Sequence, residues 1–579
     1  MGTQKWRRRP GQVVFTHEAR CRDCYRCLRA CPVKAIRVVE GQAYVDADRC
    51  IACGTCIREC PQHAKAFRVD LEEAMRLMAG PGPKAASVAP SFAALLGPEN
   101  QNRLPGALRR LGFDFVGETA SGAHEVARRT GELFRAAPSG QIICTACPAV
   151  VQYIEQYAPD LVDRLAPVVS PMIAHARILR ARLGPETKVV FFGPCVTKKA
   201  EAGRPELRAD VDCVLTFSEM VQWLAQEGIT LPDCGESPFD ESPPGDSRYF
   251  PLPGGLARTA GLATDLLDEQ IIAVDGMEDL EQALDRLRNS DEPVLLEPLF
   301  CAQGCVNGAG MPGRGNLFAR RRGVLDYAAR HPGAAAKAPA PPDLGTSHRR
   351  APADGGAFPD AEINAVLERT GKGAAEDQLN CGACGYGSCR DQAAAVLRGM
   401  ATPEMCIPHM RRLAEQRGDR IIETTPNGVV ILDGDLNVLA MNPAFRRMFQ
   451  CGDGLLGKRV SHLMDAEPFE RVTASGEPFE ETVRHGSYRR VCRQMIYTMP
   501  EERQTVGIFV DITRAVASEE QLETLRAETG RKARELLDHQ VRMAQEMARF
   551  LGASTAQSEE LVRNMLLLAE ARREQAPGE

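Results

Sequence analysis

ICTACPAVV (residues 143–151), FFGPCVTKKAE (191–201) and EPLFCAQGCVNGAG (297–310) carry four cysteines, Cys147, Cys195, Cys301 and Cys305, widely separated along the chain. A single Cys-x-x-Cys clip folds locally. Three short cysteine segments this far apart meet only if a whole domain folds to bring them together, so this part of the chain is organised around a metal centre. Thiolates are soft ligands that suit iron-sulfur clusters and zinc alike, and the four cysteines alone leave that choice open. Around them, apolar runs such as KVVFFG (188–193), DCVLTF (212–217) and PVLLEPLF (293–300) alternate with helical patterns such as SPMIAHARILRARL (170–183). Strands alternating with helices predict α/β architecture, with the cysteines where strands end in Gly/Pro turns.

The neighbours of the cysteines narrow the choice. Cys147-Pro148-Ala149-Val150-Val151, Gly193-Pro194-Cys195-Val196-Thr197-Lys198-Lys199-Ala200-Glu201 and Glu297-x-x-x-Cys301-x-x-Gly304-Cys305 resemble the three signature segments of the di-iron hydrogenase catalytic domain. The resemblance implies that the four cysteines hold a 4Fe-4S cube and that Cys305 also bridges to a two-iron unit where hydrogen reacts. It implies that Lys198 binds that unit, a cofactor contact, and that Glu201 stands one turn on. It also exposes departures. The family's acid-base cysteine is Ala146 here, and two methionines that pack around the two-iron unit are Gly193 and Leu299. A looser alignment puts the next carboxylate and hydroxyl of the family's proton chain at Gly122 and Ala166, and a further Glu at Glu125. General acid-base catalysis needs titratable groups within hydrogen-bond reach of one another, so slow turnover or none is expected. No catalytic residue is assigned; Lys198, Glu201 and Glu125 are the candidates if the protein is active. The pattern is similar to the sensory branch of that family, and it leaves open whether the two-iron subsite is assembled.

Upstream, CRDCYRCLRAC (21–31) and CIACGTCIREC (50–60), each followed by Pro, form a doubled Cys-x-x-Cys-x-x-Cys-x-x-x-Cys-Pro. This resembles a bacterial two-cluster ferredoxin, in which the fourth cysteine of each run serves the other cluster. The resemblance implies one cube on Cys21, Cys24, Cys27 and Cys60 and another on Cys50, Cys53, Cys56 and Cys31. Zinc knuckles would close without the trailing Cys-Pro. Downstream, HPGAAAKAPAPPDLGTSHRRAPADGGAFPD (331–360) reads as a linker. After the helical AEINAVLERTG (361–371), Cys381, Cys384, Cys389 and Cys406 resemble the small four-cysteine cluster domain of redox-complex and corrinoid-protein subunits, with zinc as the alternative.

From about 415 to 515 the pattern changes. Two short strands joined by GDLN (434–437), a helix opened by Asn442-Pro443 and a closing strand ending in Asp511-Ile512-Thr513 resemble a PAS domain. His462 and His485 read as solvated or core histidines, and Cys144, Cys213, Cys234, Cys451 and Cys492 as ordinary thiols. GAGMPG (308–313) spells Gly-x-Gly-x-x-Gly but follows a cysteine loop, and Pro312 would sit badly in a phosphate-binding helix. The last stretch places Leu522 and Leu525, then Leu537, Val541, Ala544, Met547 and Leu551, at helical spacing. It predicts coiled-coil helices broken at Gly552 and restarted at Ser554 or Thr555. His539 is followed by too little chain for an ATP-binding domain.

The whole chain is 579 residues with 44% hydrophobic and 26% charged residues and a net charge of -6. That length requires several cores. The expected organisation is multidomain, α/β and α+β: a ferredoxin-like dicluster domain (1–78), an α/β hydrogenase-like domain (79–330), the linker, a small helical Fe-S domain (361–414), a PAS domain (415–515) and C-terminal coiled-coil helices (516–579). The charge gives no argument for nucleic acid. The 21 cysteines fall mostly at cluster positions, which must be reduced to bind iron. No 18-residue apolar stretch and no signal-peptide run after KWRRRP are seen, so a cytoplasmic protein off the membrane is expected. Four 4Fe-4S clusters are the expected cofactors. The favoured function is a redox or hydrogen sensor, dimeric through PAS and coiled coil, with a redox partner protein and a kinase or phosphatase as output. A low-activity ferredoxin-coupled hydrogenase and an iron-sulfur assembly scaffold are the alternatives.

Overall fold

The structure is a computed structural model that describes residues 9–137, 139–262, 270–313, 315–333, 342–353 and 355–573. The chain divides into two units, Met1–Met410 and Arg411–Glu579.

The first unit begins with an internal duplication. Strand β1 (Val14–Thr16), helix Arg26–Ala30 and strand β2 (Ile36–Val39) are followed by β3 (Gln42–Val45), helix Thr55–Glu59 and β4 (Lys65–Phe67). β1 pairs antiparallel with β4 and β2 with β3, so each half lends a strand to the other. Left-handed residues recur at matching places in the two halves: Asp23 and Ala52, Tyr25 and Gly54, Lys34 and His63. Such turns aim successive backbone N–H groups inward, the arrangement that favours an anionic centre.

The central domain threads β5 (Lys84–Val88), β6 (Phe115–Glu118), β7 (Gln141–Ile143), β8 (Lys188–Gly193), β9 (Cys213–Thr216), β10 (Ile271–Asp275) and β11 (Val294–Leu299) into two parallel sheets, ordered β6-β5-β8-β9 and β10-β11-β7. Every residue of β11 and all but Lys188 of β8 are buried, which is why these strands read as unbroken apolar runs rather than alternating ones. Fully buried Phe92, Phe192 and Phe217 anchor a core that continues under the helices Ala120–Ala136 and Pro171–Leu183. Lys199 joins this domain to the ferredoxin-like region: its fully buried Nζ lies 2.9 Å from Asp70 Oδ2 and 3.0 Å from Glu219 Oε1.

The stretch expected as a linker behaves otherwise over residues 342–353; residues 334–341 and 354 lie outside the described residues. Leu344 is buried in the central core, and the backbone N–H groups of Val169, Ala351 and Ala353 bond across to Leu344, Glu155 and Gln156. One apolar side chain and a run of backbone bonds hold this strap down despite its Pro/Ala-rich composition. Beyond it, helices Asp360–Arg369 and Cys389–Leu397 pack together in a small helical domain.

The second unit carries an antiparallel sheet in the order β13-β12-β16-β15-β14, from β12 (Gly428–Leu432), β13 (Val438–Met441), β14 (Phe479–His485), β15 (Arg490–Met499) and β16 (Gln504–Asp511). Asn442 pins its first helix: Oδ1 accepts from the N–H of Val429 and Phe445, while Nδ2 donates to the carbonyls of Ile422 and Asn427. At the end of β16, Thr513 Oγ1 donates to Asp511 Oδ1 and accepts from Val491 N–H, clamping the start of the last helix to the sheet. That helix runs unbroken from Thr513 to Arg573, so the expected interruption at Gly552 is absent. A single interior glycine costs only about 1 kcal/mol against alanine, and the surrounding helix formers outweigh it.

Candidate metal centre

Two thiol sets form in the ferredoxin-like region. Cys27 lies within electrostatic reach of Cys21, Cys24 and Cys60, and Cys56 of Cys50, Cys53 and Cys31. The fourth cysteine of each run has thus crossed to the other set. The sulfurs of Cys31 and Cys60 also accept backbone N–H bonds, from Ala35 at 3.3 Å and Ala64 at 3.2 Å; at Cys31 burial pushes the thiol up and the Ala35 N–H opposes it.

In the central domain the three cysteine segments leave the carboxyl ends of β7, β8 and β11, the edge at which parallel sheets place their ligands. Cys147, Cys195, Cys301 and Cys305 line one small cavity together, and Cys53 of the ferredoxin-like region lines it too. Burial drives three of these thiols up, Cys147 to about 12, Cys301 to about 11 and Cys305 well above its ordinary value, with the neighbouring sulfurs adding to the effect at Cys147. Such thiols hold their protons until a metal displaces them. The two regions meet tightly here. Gly54, at φ +75°, leaves no room for a β-carbon against Ala309, and Arg58 reaches across to Cys301 and to the Asn307 carbonyl. The GAGMPG glycines serve packing: a β-carbon on Gly308 or Gly310 would fall 2.3 or 2.9 Å from the Pro194 carbonyl beside Cys195.

A second cavity of about 90 Å³ adjoins the first, walled by Cys147, Cys195 and Cys305 and by Ala146, Lys198, Leu299, Ser91, Thr119 and apolar neighbours. Ala146 and Leu299 face it, as the resemblance implies. Gly193 leaves space filled by the Phe191 ring. Lys198 Nζ donates to Ser170 Oγ at 2.8 Å and to Glu201 Oε2 at 2.9 Å. Ser91 Oγ is buried on this wall without a hydrogen-bond partner among the described residues. Three sequence-aligned positions lie elsewhere. Glu125 is paired with Arg128 at 2.9 Å and is not among the cavity's lining residues. Gly122 sits where two helices touch, a β-carbon there meeting the Pro171 carbonyl at 2.5 Å. Ala166 contributes its carbonyl to Thr145 and His348. A carboxylate could not stand at Gly122 in this packing.

The fourth set, Cys381, Cys384, Cys389 and Cys406, lines one cavity with Lys372 and Tyr386. Lys372, which the spacing gave no reason to single out, bonds the sulfurs of Cys406 and Cys389; burial lowers its pKa, and these sulfurs more than reverse that. The set lies against the ferredoxin-like region, with Gly385 packed on Leu28 and Arg29, and Tyr386 within electrostatic reach of both Cys384 and Cys31. Cys144, Cys213, Cys234 and Cys492 are buried and Cys451 is partly buried, all outside the four sets. His485 packs edge-on against Phe449 at 5.1 Å, and His462 is exposed. Among the described residues no group of three or more His, Cys, Asp or Glu closes around a single metal ion.

Residues 83–309 match the family of the iron-only hydrogenase large subunit, C-terminal domain. The central domain is hydrogenase-like. Residues 13–61 match the 4Fe-4S dicluster domain, 377–408 an Fe-S cluster family and 419–484 the PAS family. The chain is therefore an iron-sulfur protein that joins a hydrogenase-like domain to a PAS domain. It is 26% identical over 369 residues to the NADP-reducing hydrogenase subunit HndD of Solidesulfovibrio fructosivorans, covering 53% of this chain and 58% of that one. Against the periplasmic Fe hydrogenase large subunit of Nitratidesulfovibrio vulgaris it is 26% identical over 371 residues, 52% of this chain and 87% of the relative. The cytosolic Fe-S cluster assembly factor NAR1 of Kluyveromyces lactis is 34% identical over 90 residues, 16% of this chain and 19% of that one. The solved hydrogenase HydA1 of Chlamydomonas reinhardtii aligns at 18% identity and a TM-score of 0.41, over 49% of this chain and all of that one. Among the described residues no helix is long and apolar enough to cross a membrane.

Proposed function

We propose that this protein is a hydrogen or redox sensor. Its hydrogenase-like domain keeps a place for a two-iron unit but has lost the acid-base group that makes such a unit fast. The observation that carries this reading is the wall of the second cavity, where Cys305 and Lys198 stand together with Ala146. The residues present fit the group: Cys305 would bridge to it, Lys198 and the unpartnered Ser91 Oγ would bond its polar ligands, and the apolar remainder would exclude water. When bound, such a unit supplies reversible hydrogen chemistry. Alanine at 146 offers no proton to it.

Four 4Fe-4S cubes accompany this site, one on each cysteine set. Electrons from a redox partner protein enter through the ferredoxin-like pair and pass to the central cube across the seam where Cys53 adjoins Cys301. The Asp511–Thr513 clamp and the long helix carry the signal to a kinase or phosphatase, and exposed Leu522, Leu525, Leu537 and Val541 give two copies a shared helical seam in a cytoplasmic homodimer. The retained Lys198 and cavity favour a slow hydrogenase as the second reading.

One substitution separates the two. In the sensor, Ala146→Cys in the fully matured protein raises hydrogen evolution by about 10²-fold or more, since a positioned acid-base group is worth that much. Wild-type turnover already at the level of ordinary hydrogenases, unmoved by Ala146→Cys, would contradict the sensor reading.

A further inference from the structure

The second cavity has one wall stripped of proton carriers and another that is not. Thr119 lines the cavity. Its Oγ1 lies 2.7 Å from Ser87 Oγ, and Ser87 Oγ lies 2.7 Å from His175 Nδ1. On the far side of the ring, His175 Nε2 lies 2.6 Å from Glu241 Oε1. The Ser87 and His175 side chains are fully buried and Thr119 is 4% exposed, whereas the Glu241 side chain is 12% exposed, with half-exposed Arg182 at 3.7 Å from its other oxygen. Gly117 makes the last link sterically feasible: a β-carbon there would meet Glu241 Oε1 at 2.7 Å and the His175 ring at 3.1 Å. Three unbroken hydrogen bonds therefore join the cavity to the edge of the protein.

We propose that Thr119, Ser87, His175 and Glu241 form a proton relay between the cavity and solvent. It rests on the reading of the cavity as the seat of a two-iron unit. Its polarity follows from the donors. The Glu241 carboxylate, with Arg182 beside its other oxygen, is an acceptor, so in the neutral ring the proton sits on Nε2. Nδ1 then accepts from the Ser87 hydroxyl, and Ser87 Oγ accepts from the Thr119 hydroxyl. A proton released in the cavity lands on Thr119 Oγ1. The Thr119 proton passes to Ser87, the Ser87 proton to His175 Nδ1, and the Nε2 proton to Glu241. One proton leaves the cavity, one carboxylate becomes a carboxylic acid, and only O–H and N–H bonds change. Glu241 releases the proton to water at its exposed edge, and rotation of the two hydroxyls with a ring tautomer switch restores the chain. A histidine that merely anchored the core would need neither a cavity-lining hydroxyl at one end of its bonds nor a solvent edge at the other.

Thr119→Val removes the hydroxyl at nearly constant shape, Thr119→Ser keeps it, and Ser87→Ala and Glu241→Gln cut the chain further out. Each is made in the full-length matured protein, checked for iron content and for carbonyl and cyanide infrared bands, and followed by time-resolved infrared after light-triggered electron injection. The relay predicts that Thr119→Val, Ser87→Ala and Glu241→Gln slow the proton-coupled band shift by about 10²-fold. It predicts that Thr119→Ser keeps the wild-type rate, and that a transient carboxylic-acid band seen in the wild type vanishes in Glu241→Gln. Wild-type rates in all three interrupted variants, or an acid band that survives Glu241→Gln, overturn the relay alone. A matured wild type without carbonyl bands overturns the two-iron reading and the relay with it.

Discussion

The ferredoxin-like region and the hydrogenase-like domain each gather thiols into cube-sized sets, but by opposite means. In the first, every thiol of the two sets comes from a doubled local motif, the supporting strands are three or four residues long, and the cysteines themselves make up part of the core. In the second, the thiols follow the ends of parallel strands, and most of the domain packs on a separate core of Phe92, Phe192, Phe217 and their neighbours. A small region whose cysteines stand within its core, a core it shares with Ile143, Ile154 and Leu296 of the central domain, depends on its clusters for folding more than a large domain does. A domain with a full core carries its cluster as cargo at a sheet edge.

The largest expected effect follows from that contrast. Removing iron by acid and chelator should leave the strands of the central domain, such as Lys84–Val88, Lys188–Gly193 and Val294–Leu299, protected in hydrogen exchange while residues 13–67 lose protection throughout. Equal loss in both regions would break the distinction.

The seam between the two comes next. Lys199→Met leaves the buried Glu219 without its cation, while Asp70 keeps Arg68 at 2.6 Å. Breaking a buried pair from one side costs about 3–5 kcal/mol, to be read in chemical denaturation of the reconstituted protein. A loss under about 1 kcal/mol would mean that the regions are not locked by charge.

Glu297 sharpens the cargo picture on the central side. Burial raises its pKa from 4.5 to about 7, against the N–H groups of Ala257, Leu256 and Gly254. The folded state therefore holds a proton between pH 4.5 and 7 that the unfolded chain has lost, so stability falls as pH rises through this window. The contribution is about 3 kcal/mol, fully present below 4.5 and gone above 7. Glu297→Gln should flatten that slope in unfolding of the central domain, and an unchanged slope would remove Glu297 from the account.

What could be read from the sequence divides along the same line. Cys21 to Cys60 announce their sets because the spacing is local, and KVVFFG and PVLLEPLF announce buried parallel strands because both faces are apolar. The surroundings of the second cavity were legible only where a motif names them, as at Lys198 and Ala146. Ser87, Thr119, His175 and Glu241 come from four separate segments, and nothing in the spacing joins a serine in KAASV to a histidine in PMIAHARIL. Gly122 and Glu125 show the converse: an alignment places them by sequence, while packing puts one in a helix contact and the other beside Arg128. Leu344 and the strap around it were masked by proline and alanine, since backbone bonds leave no trace in composition. The final helix runs through Gly552 because one glycine weighs less than a long context of helix formers.

The central claim is that the cavity beside Cys305 seats a two-iron unit deprived of its nearest acid. The infrared spectrum of the matured, full-length protein under argon and then under hydrogen tests it most directly. The account predicts carbonyl and cyanide bands that shift reversibly when hydrogen is admitted, in a protein that evolves gas orders of magnitude more slowly than an ordinary hydrogenase. A spectrum with no such bands, or one whose bands ignore hydrogen, would contradict it.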